Sequence, residues 1–467
     1  MEAFYLEDLE YAIYEDYIIS RYTLSVRGIS IDSRTIKNGE VYFALFGTRY
    51  DGHNFIKEAI DKGAMAVVCS RGRCSYLKFF KKMLPIFETD DTLVALGKVA
   101  KSYKAKFKNT KIIGITGSNG KTTTKEILLS IFNKKHKTLS NKGNFNNRVG
   151  VALSVFNLTS EIEYAIFEMG TSLHGEIKIL ADILNPDVGI ITNIGLSHLE
   201  TFISREYVFE EKKVLFDSTK KDGFIVVNND DEFLKNTYGF RNYKGRMLSF
   251  SLNAYADVYA KNVNICFDKT NFELCYKTES IKIDLPAKGR FNVMNALAAA
   301  SCAVGFKLSL SEIKYGIENF ILPKMRMESV LTKAGAILIN DAYNSNPSSV
   351  KEVIETVLQY YSKKKINLVI GDMLELGDKS IDYHSKLGEF INNKNINAVY
   401  LLGTLSIHIK EALNIKNVFY SKYADTLSKK LEQATIDADS VFLFKASRAM
   451  RLEEVYIKFY KFICYYS

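Results

Sequence analysis

The sequence predicts an α/β protein of three domains: a small N-terminal α/β domain, a central domain with a parallel sheet of the P-loop ATPase type, and a C-terminal doubly wound domain of the Rossmann type. One observation is the alternation of short β-branched or aromatic runs with helical patterns, which is typical of parallel strands joined by crossover helices. The other is the length, since 467 residues correspond to about three domains of ordinary size.

Residues 1–88 are predicted to form the N-terminal domain. Runs rich in β-branched and aromatic residues at 26–31, 40–46 and 64–69 indicate strands that are separated by polar turns. An amphipathic stretch at 53–62 lies between the second and third runs. Together these patterns indicate a small α/β unit.

Residues 89–322 are predicted to form the central domain. A helical stretch at 92–107 leads into a strand at 111–116, and further strands are expected at 164–168, 188–192 and 224–228. The alternating polar and apolar pattern over 250–285 predicts a hairpin insertion before an alanine-rich helix at 293–304.

Residues 323–467 are predicted to form the C-terminal domain, because the alternation of strands and helices resumes after Leu322 and Pro323. Its strands are expected at 336–340, 366–371, 398–403 and 440–445. In sheets of this kind, ligands bind at the carboxyl ends of the strands, and the most distinctive polar residues of both large domains follow strand ends.

The composition limits the class of function. The net charge is +10, but no dense basic block accompanies it, so no nucleic-acid partner is expected; an anionic small ligand or a plain lysine-rich surface explains the charge equally well. No apolar run reaches the roughly 18 residues of a membrane helix, which predicts a cytoplasmic protein without integral membrane association. The six cysteines lack metal-binding spacing and are expected to be reduced.

The strongest motif is GITGSNGKTTTKE, which stands between a predicted strand and a predicted helix, as a phosphate-binding loop does. Gly117 and Gly120 allow the backbone to turn its N–H groups towards phosphates, Lys121 adds positive charge, and the Thr122 hydroxyl suits magnesium. The spacing is a variant, because Ile115 occupies the first glycine position of the usual pattern. A glycine-rich turn that binds no nucleotide is the alternative.

Two further residues follow strand ends and suit a metal. Glu168 ends the strand in AIFEMG and supplies the hard oxygen that magnesium prefers. His198 follows the next strand, where its imidazole suits either a second metal or a phosphate, or only packs within the fold.

Longer stretches resemble the Mur ligase family, the ATP-dependent enzymes that form amide bonds in bacterial cell-wall synthesis. GITGSNGKTTTKE resembles the family's ATP loop, and IDSRTIKNGEVYFALFGTRYDGHNFIKEAIDKGA resembles the first domain of the members that add the third residue and the terminal dipeptide. The stretches that resemble the dipeptide-adding member are NKGNFNNRVGV, EMGTSLHGEI, NDAYNSNPSSV and GDMLELG. The resemblance covers nearly the whole chain.

The resemblance implies a ligase that joins D-alanyl-D-alanine to UDP-N-acetylmuramoyl-tripeptide through an acyl phosphate. The first domain would then bind the nucleotide sugar peptide, the central domain ATP and the last domain the incoming dipeptide. Lys121, Lys212, His198 and Arg326 would be catalytic. The residues implied for ATP are Gly117, Ser118, Asn119, Gly120, Lys121, Thr122, Thr123, Asn292, Asn295, Arg326 and Asp341.

The resemblance also implies two magnesium ions, held by Thr122, Glu168, His198 and a carbamoylated Lys212. Many relatives have a small residue and an acid after that lysine, whereas this chain has Lys213 and Val214, so Lys213 is a rival for carbamoylation. The residues implied for the other substrates are Ser33, Arg34, Gly47, Thr48 and His53 for the uridine nucleotide, Asn144, Asn146 and Asn147 for the muramoyl peptide, Tyr343, Asn344 and Asn346 for the dipeptide, and Lys445, Ser447 and Arg448 in the last domain's substrate motif.

Two other functions stay open at this point. One is a Mur-family ligase that adds a single amino acid, and the other is a nucleotide-switched binding protein without ligase activity. The second leaves Lys212, Arg326 and two of the three predicted domains without a role. A monomer is expected; the third residue of the peptide and the base that deprotonates the incoming amine are not identifiable from the sequence.

Overall fold

Three separate β-sheets organise the chain in a computed structural model, which describes residues 1–2, 4–15, 24–47, 50–73, 84–238, 245–253, 255–266 and 269–466. Each large sheet is covered by helices on both faces, which confirms the predicted α/β class. The domain boundaries at residues 88 and 322 stay predictions.

The first sheet has four parallel strands in the order β1-β2-β3-β4. The strand β4 was not predicted from the sequence. Only one of its residues, Phe87, is buried, so its pattern of apolar residues is weak. The elements of this part are α1 (Leu6–Tyr14), β1 (Gly28–Ser30), β2 (Glu40–Phe43), α2 (Ile56–Asp61), β3 (Ala66–Ser70), β4 (Ile86–Thr89) and α3 (Thr92–Ala105).

The second sheet has nine strands in the order β13-β12-β11-β10-β9-β8-β5-β7-β6. The elements of this part are β5 (Lys111–Thr116), α4 (Lys121–Asn133), β6 (Thr138–Ser140), α5 (Arg148–Val155), β7 (Tyr164–Glu168), α6 (Glu176–Leu184), β8 (Val188–Ile191), α7 (Leu199–Phe202), α8 (Arg205–Asp217), β9 (Phe224–Asn228), α9 (Glu232–Tyr238), β10 (Met247–Ser251), β11 (Val258–Ile265), β12 (Thr270–Tyr276), β13 (Glu279–Leu285), α10 (Arg290–Gly305) and α11 (Leu310–Asn319).

The strand β5 lies between β7 and β8, so the chain order reverses on either side of it. A crevice opens at the carboxyl ends of strands at such a reversal, and ligands bind there. Apolar residues of α4, α10 and α11 cover one face of the sheet, and those of α3, α5 and α6 cover the other. The apolar cluster formed with α3, α5 and α6 also includes Phe4, Val41 and Val68. The first sheet therefore packs against the second through this cluster.

The insertion predicted over 250–285 is larger than a hairpin. The strands β11, β12 and β13 form an antiparallel meander of three strands at one edge of the second sheet. The outer edge of β13 is covered by α11, because the Asp284 N–H donates to Glu318 Oε1 (2.9 Å) and Lys314 Nζ donates to the Lys282 carbonyl (2.6 Å).

The third sheet has six strands in the order β14-β15-β19-β16-β17-β18, and all pairs except β14 with β15 are parallel. The apolar faces of α12, α13 and α14 cover one side of it and those of α15 and α16 the other, a doubly wound arrangement. Its elements are β14 (Glu328–Leu331), β15 (Ile337–Asn340), α12 (Pro347–Tyr360), β16 (Lys365–Gly371), α13 (Ser380–Asn392), β17 (Ala398–Leu402), α14 (Ile407–Ala412), β18 (Val418–Ser421), α15 (Ala424–Leu431), β19 (Ser440–Lys445) and α16 (Leu452–Tyr466).

Two features bear on the expectations for the surface and the cysteines. Within the described ranges, no helix combines the length and the apolar character needed to cross a bilayer. Cys69 is disulfide-bonded, so the expectation that all six cysteines are reduced is wrong. Cys266, Cys275, Cys302 and Cys464 are free thiols.

Candidate active site

A cleft of about 890 Å³ opens at the carboxyl ends of the central strands, between the second and third sheets. The loops after β5, β7 and β8 form one wall, and the loop after β15 together with α12 forms the other. Seventeen residues proposed from the sequence line it: Ser118, Asn119, Gly120, Lys121, Thr122, Thr123, Asn146, Asn147, Glu168, His198, Asn292, Asn295, Arg326, Asp341, Tyr343, Asn344 and Lys445.

The loop after β5 turns sharply at two glycines with positive φ, Gly117 at 146° and Gly120 at 82°. A Cβ on Gly117 would lie 1.9 Å from Thr192 Oγ1, and one on Gly120 would lie 2.1 Å from Asn295 Oδ1, so neither position accepts a side chain. Lys121 begins α4 and donates from Nζ to the Gly117 carbonyl (2.7 Å). The protein surrounding Lys121 leaves its side chain partly open to the cleft but removes enough water to lower its pKa.

Arg326 crosses from the linker before β14 to the loop of the central sheet. Its Nη2 donates to Thr122 Oγ1 (3.0 Å), and its guanidinium carbon lies 4.4 Å from the centre of the Tyr343 ring. Met325 and Met327, on either side of it, both have positive φ, at 58° and 54°. The linker is thus bent twice around Arg326, which points its guanidinium into the cleft.

Glu168 ends β7 with its carboxylate buried in the cleft wall. Asn146 Nδ2 donates to Oε1 (2.8 Å), whereas Oε2 is buried and has no hydrogen-bond partner among the described residues. A buried carboxylate oxygen without a donor is suited to a cation. The described part of the chain contains no group of three or more His, Cys, Asp and Glu that could hold a metal, so phosphate oxygens or water would have to complete the coordination.

His198 adopts positive φ, at 53°, immediately before α7. Its Nδ1 lies 2.6 Å from Oε2 of Glu375, a residue of the third sheet's loop after β16. The contact with His198 lowers the pKa of the Glu375 carboxyl. The imidazole is therefore held from the opposite side of the cleft.

Lys212 lies in α8 and is only 2% exposed. Burial is the main cause that lowers its pKa to about 7; the nearby cation of Lys121 lowers it further and Glu211 opposes the shift. Its neighbour Lys213 is in a different setting, because its Nζ lies 2.6 Å from Glu210 Oε2.

The start of α10 brings two amides to the cleft. Asn292 Nδ2 donates to the Lys288 carbonyl (2.8 Å), and Asn295 Nδ2 donates to Asn292 Oδ1 (3.2 Å). Asn295 Oδ1 thereby lies against Gly120 of the opposite loop. Both amides are buried, so they hold the beginning of α10 against the loop after β5.

The strand β15 ends one residue before Asp341, which is tied to the fold on both oxygens. The Met327 N–H donates to Oδ1 (2.9 Å), and Lys445 Nζ lies 2.5 Å from Oδ2. Lys445 also donates to the Asn344 carbonyl (3.0 Å). Because its Nζ has both partners and its side chain is almost fully buried, Lys445 orders the loop that carries Tyr343.

Those proposed residues of the first domain that the structure describes lie outside this cleft. Ser33 is buried and its hydroxyl donates to Glu58 Oε2 (2.8 Å). Arg34 is exposed and forms an ion pair with Asp32 (2.7 Å). The Gly47 N–H donates to the Tyr50 carbonyl (3.0 Å), whereas Thr48 lies outside the described residues.

His53 is enclosed by the first domain. Its Nδ1 lies 2.6 Å from Asp51 Oδ1, and its Nε2 accepts from the Ser70 N–H (2.9 Å). Because both ring nitrogens have partners and the side chain is buried, the contacts visible here are those of a structural histidine. A role in substrate binding stays a prediction.

The remaining proposed residues are two helix caps, two exposed residues and one buried serine. Asn147 caps α5 by accepting from the Gly150 N–H, and Asn144 is exposed. Asn346 caps α12 and also donates from Nδ2 to Asn119 Oδ1 (2.8 Å) across the cleft. Ser447 accepts from the Leu374 N–H (2.9 Å), and Arg448 forms an exposed ion pair with Glu453.

Three protein-family models match the chain along its length. They are described as the Mur ligase family catalytic domain at residues 25–104, the Mur ligase middle domain at 115–303, and the Mur ligase glutamate ligase domain at 325–448. The chain belongs to the Mur ligase family. The matched ranges follow the three sheets in order.

Among Mur ligases, several relatives are similar over most of their length. A UDP-N-acetylmuramoyl-tripeptide--D-alanyl-D-alanine ligase of Bacillus subtilis is 34% identical over 438 residues, 92% of each chain. That of Escherichia coli is 30% identical, over 92% of this chain and 93% of the relative. A crystal structure of MurF from Acinetobacter baumannii superposes with a TM-score of 0.87 at 28% identity, over 97% and 98% of the two chains. The structure of MurF from Thermotoga maritima in complex with ADP superposes with a TM-score of 0.82 at 28% identity, over 94% of this chain and 98% of the other.

Two residues of this Mur ligase that hold the site together are absent from the sequence prediction. Glu375 contacts His198, and Glu211 accepts from the N–H groups of Gly175 (2.7 Å) and Ile177 (2.9 Å), which anchors the loop after β7 to α8. Glu375 follows the end of the predicted strand at 366–371, and that position could have indicated a residue of the site. Glu211 had none, since helical glutamates are common on surfaces.

Proposed function

We propose that the chain is an ATP-dependent peptide ligase, which joins D-alanyl-D-alanine to UDP-N-acetylmuramoyl-tripeptide and releases ADP and phosphate. The observation that carries the proposal is the contact between Thr122 and Arg326 across the cleft. It is supported by the 34% identity to the UDP-N-acetylmuramoyl-tripeptide--D-alanyl-D-alanine ligase of Bacillus subtilis. The contact brings a phosphate loop and a cation from another domain to one point, as transfer of a phosphoryl group requires.

The first step is the attack of the tripeptide's terminal carboxylate on the γ-phosphorus of ATP. A new bond forms between a carboxylate oxygen and phosphorus, the bond to the bridging oxygen breaks, and ADP leaves with the electron pair. Two anions approach each other in this step, so nearby positive charge lowers the barrier. Lys121 and Arg326 supply it from opposite walls of the cleft.

The second step is the attack of the dipeptide amine on the acyl carbon. The bond from that carbon to the phosphate oxygen then breaks, an amide forms, and phosphate leaves with the proton of the amine. Water would hydrolyse the acyl phosphate, so the two walls have to close around it. The contacts of Arg326 with Thr122 and of Asn346 with Asn119 already join these walls.

ATP fits the loop after β5, and the T. maritima MurF structure contains ADP. We assign the phosphates to the loop of residues 117–123, with Asn292, Asn295, Arg326 and Asp341 as further contacts. Lys121 supports this assignment, because its lowered pKa would rise again next to phosphate oxygens. Binding of ATP and full protonation of Lys121 are therefore linked.

Magnesium fits the donor set on the central side of the cleft, where Glu168 has a buried oxygen that no described residue hydrogen-bonds. We assign Thr122, Glu168, His198 and a carbamoylated Lys212 to it. Bound magnesium would neutralise phosphate charge as a Lewis acid. The carbamate assignment rests on the pKa of Lys212, about 7, because only a neutral amine attacks carbon dioxide. Lys213 is the weaker candidate, since its ammonium is paired with Glu210.

The other substrates are assigned by the same reasoning to residues around and beyond the cleft. We place the muramoyl peptide near Asn144, Asn146 and Asn147, and the dipeptide near Tyr343, Asn344, Asn346, Lys445, Ser447 and Arg448. The uridine nucleotide is assigned to the first domain at Ser33, Arg34, Thr48 and His53, and the enzyme is proposed to act as a monomer in the cytoplasm.

The test is one reaction containing UDP-N-acetylmuramoyl-tripeptide, D-alanyl-D-alanine and ATP, followed by mass spectrometry. We expect a pentapeptide product with one ADP for each product molecule. Oxygen-18 in the terminal carboxylate of the tripeptide should appear in the released phosphate. Ligation of single amino acids but not of the dipeptide would replace this assignment by that of another Mur ligase, and nucleotide binding without any ligation would refute the enzyme.

A further inference from the structure

The loop after β16 and the segment before α7 form a built contact between the third and second sheets. Leu199 is 4% exposed and belongs to the apolar cluster of the third sheet, together with Met373 and Leu376. Directly beside it, the Glu200 N–H donates to the Glu375 carbonyl (3.1 Å). One residue of the central domain is thus inserted into the core of the next domain.

The backbone on both sides of this contact is shaped for close approach. His198 and Glu375 both adopt the left-handed conformation, at φ of 53° and 63°, which non-glycine residues rarely take. At Gly377, a Cβ would lie 2.9 Å from the Glu200 Cα, so the two segments touch through backbone. Strain of this kind persists only where surrounding contacts hold it in place, and it is concentrated at functional sites.

The side chains that meet here are those of His198 and Glu375, with 2.6 Å between Nδ1 and Oε2. The Glu375 side chain is 58% exposed, so the ion pair itself adds little stability. Burial of Leu199 holds the two domains together. The Glu375 carboxylate instead acts on the orientation of the His198 ring. The angles of this contact do not meet those of a hydrogen bond, so Nδ1 is in ion-pair contact with the carboxylate and has no hydrogen-bond partner among the described residues. A carboxylate held at this distance favours the tautomer with the proton on Nδ1 and leaves Nε2 as the ring nitrogen without a proton.

We propose that Glu375 is a positioning residue, which orients the His198 imidazole towards the cleft only when the third domain is docked against the second. The proposal rests on the proposed function, in which His198 lies in the reaction site. It couples domain docking to assembly of that site: when the domains are apart, the Nδ1 partner is removed and the ring is free to rotate. ATP bound to the undocked form would then meet an incomplete site.

Kinetics give the first test, with Glu375→Ala, Glu375→Gln and a matched control, Glu411→Ala. Glu411 forms the same kind of pair with His408 (2.9 Å) on the surface of the third domain. We expect Glu375→Ala to lower kcat about 10- to 100-fold with KM for ATP within about twofold, the usual cost of losing the partner of a reactive histidine. Glu375→Gln should retain most of the activity, because its amide oxygen still accepts from Nδ1–H.

A second variant disturbs the contact from its backbone side. Gly377→Ala leaves His198 and Glu375 in the chain but forces the Glu200 backbone away. We expect it to lower kcat as Glu375→Ala does. If Gly377→Ala slows turnover while Glu375→Ala stays within about twofold of wild type, docking matters but Glu375 does not position the ring, and the proposal is overturned.

The tautomer of His198 tests the proposal without any turnover. Long-range ¹H–¹⁵N spectra of histidine-labelled protein, recorded above the pKa of histidine with AMP-PNP and UDP-N-acetylmuramoyl-tripeptide present, should show the His198 proton on Nδ1 in wild type. In Glu375→Ala it should move to Nε2, and in Glu411→Ala it should stay. An unchanged tautomer in Glu375→Ala overturns the proposal, whereas a wild-type enzyme that makes no pentapeptide refutes only the proposed function.

Discussion

Replacing Lys212 by methionine should lower turnover about 100- to 1,000-fold, because the variant has no amine to form a carbamate. With a pKa of about 7, Lys212 has a neutral amine in about half of the molecules at pH 7, whereas an ordinary lysine with a pKa of 10.5 has one in about 0.03%. Burial, helped by the nearby cation of Lys121, therefore raises the reactive fraction by about three orders of magnitude. That fraction increases with pH, from about one tenth at pH 6 to about nine tenths at pH 8.

The assay is steady-state ligation in buffer depleted of carbon dioxide, with bicarbonate added back at several pH values. We expect wild-type activity to fall on depletion, most strongly at low pH, and to return with bicarbonate. Lys212→Met should lose about 100- to 1,000-fold and gain nothing from bicarbonate, as for loss of a charged group that stabilises a transition state. ¹³C NMR with labelled bicarbonate should show a carbamate signal that Lys212→Met lacks.

The matched control is Lys213→Met, which removes the neighbouring lysine that pairs with Glu210. It should keep both the carbamate signal and the activity. The reasoning is refuted if Lys212→Met turns over normally, or if the signal disappears in Lys213→Met and not in Lys212→Met. Methionine is close to lysine in length and unbranched, so the buried site stays filled.

The same substitution has a predictable effect on stability. The pKa of Lys212 in the folded chain lies below its unfolded value of 10.5, so folding is opposed fully below pH 7 and less as the pH rises towards 10.5. Without bicarbonate, Lys212→Met should therefore raise the free energy of unfolding most at pH 6, and urea titrations that show the largest gain at high pH would contradict this.

Three other variants test the cleft. Arg326→Lys should lower kcat about 100-fold in steady-state assays, because lysine cannot both donate to Thr122 and stack on a ring as the planar guanidinium does; normal kinetics would remove Arg326 from the site. Gly120→Ala should weaken AMP-PNP binding at least about tenfold by calorimetry, since its Cβ would meet Asn295 at positive φ, and unchanged affinity would show that the loop can relax. Glu168→Gln should raise the magnesium concentration for half-maximal rate about tenfold, and an unchanged requirement would argue against a role in metal binding.

The buried parallel strands were predictable from the sequence, whereas the edge strands were not. Strands such as Phe224–Asn228 and Ser440–Lys445 are buried on both faces, so they read as continuous apolar runs. The edge strands Glu328–Leu331 and Val418–Ser421 have few buried residues and take their conformation from one neighbour each. The third strand of the meander was missed for the same reason, since much of Glu279–Leu285 is exposed.

Parts of the site that are close together in the sequence could be predicted, whereas contacts between distant segments could not. Gly117, Gly120 and Lys121 are close in sequence, and their chemistry is visible from spacing alone. The contact between His198 and Glu375 depends on how two domains are placed, which no local pattern encodes. His53 was proposed for substrate binding, but its ring contacts other residues of the first domain. A histidine after a turn looks the same in sequence whether it binds a ligand or hydrogen-bonds within the protein.

The covered edge of β13 affects how the chain behaves at high concentration. Unpaired strand edges recruit strands from other copies of a protein and thereby seed aggregates. Here two side chains of α11, Glu318 and Lys314, already bind backbone groups that a foreign strand would need. The chain can therefore reach high concentration with this end of its largest sheet closed to self-association.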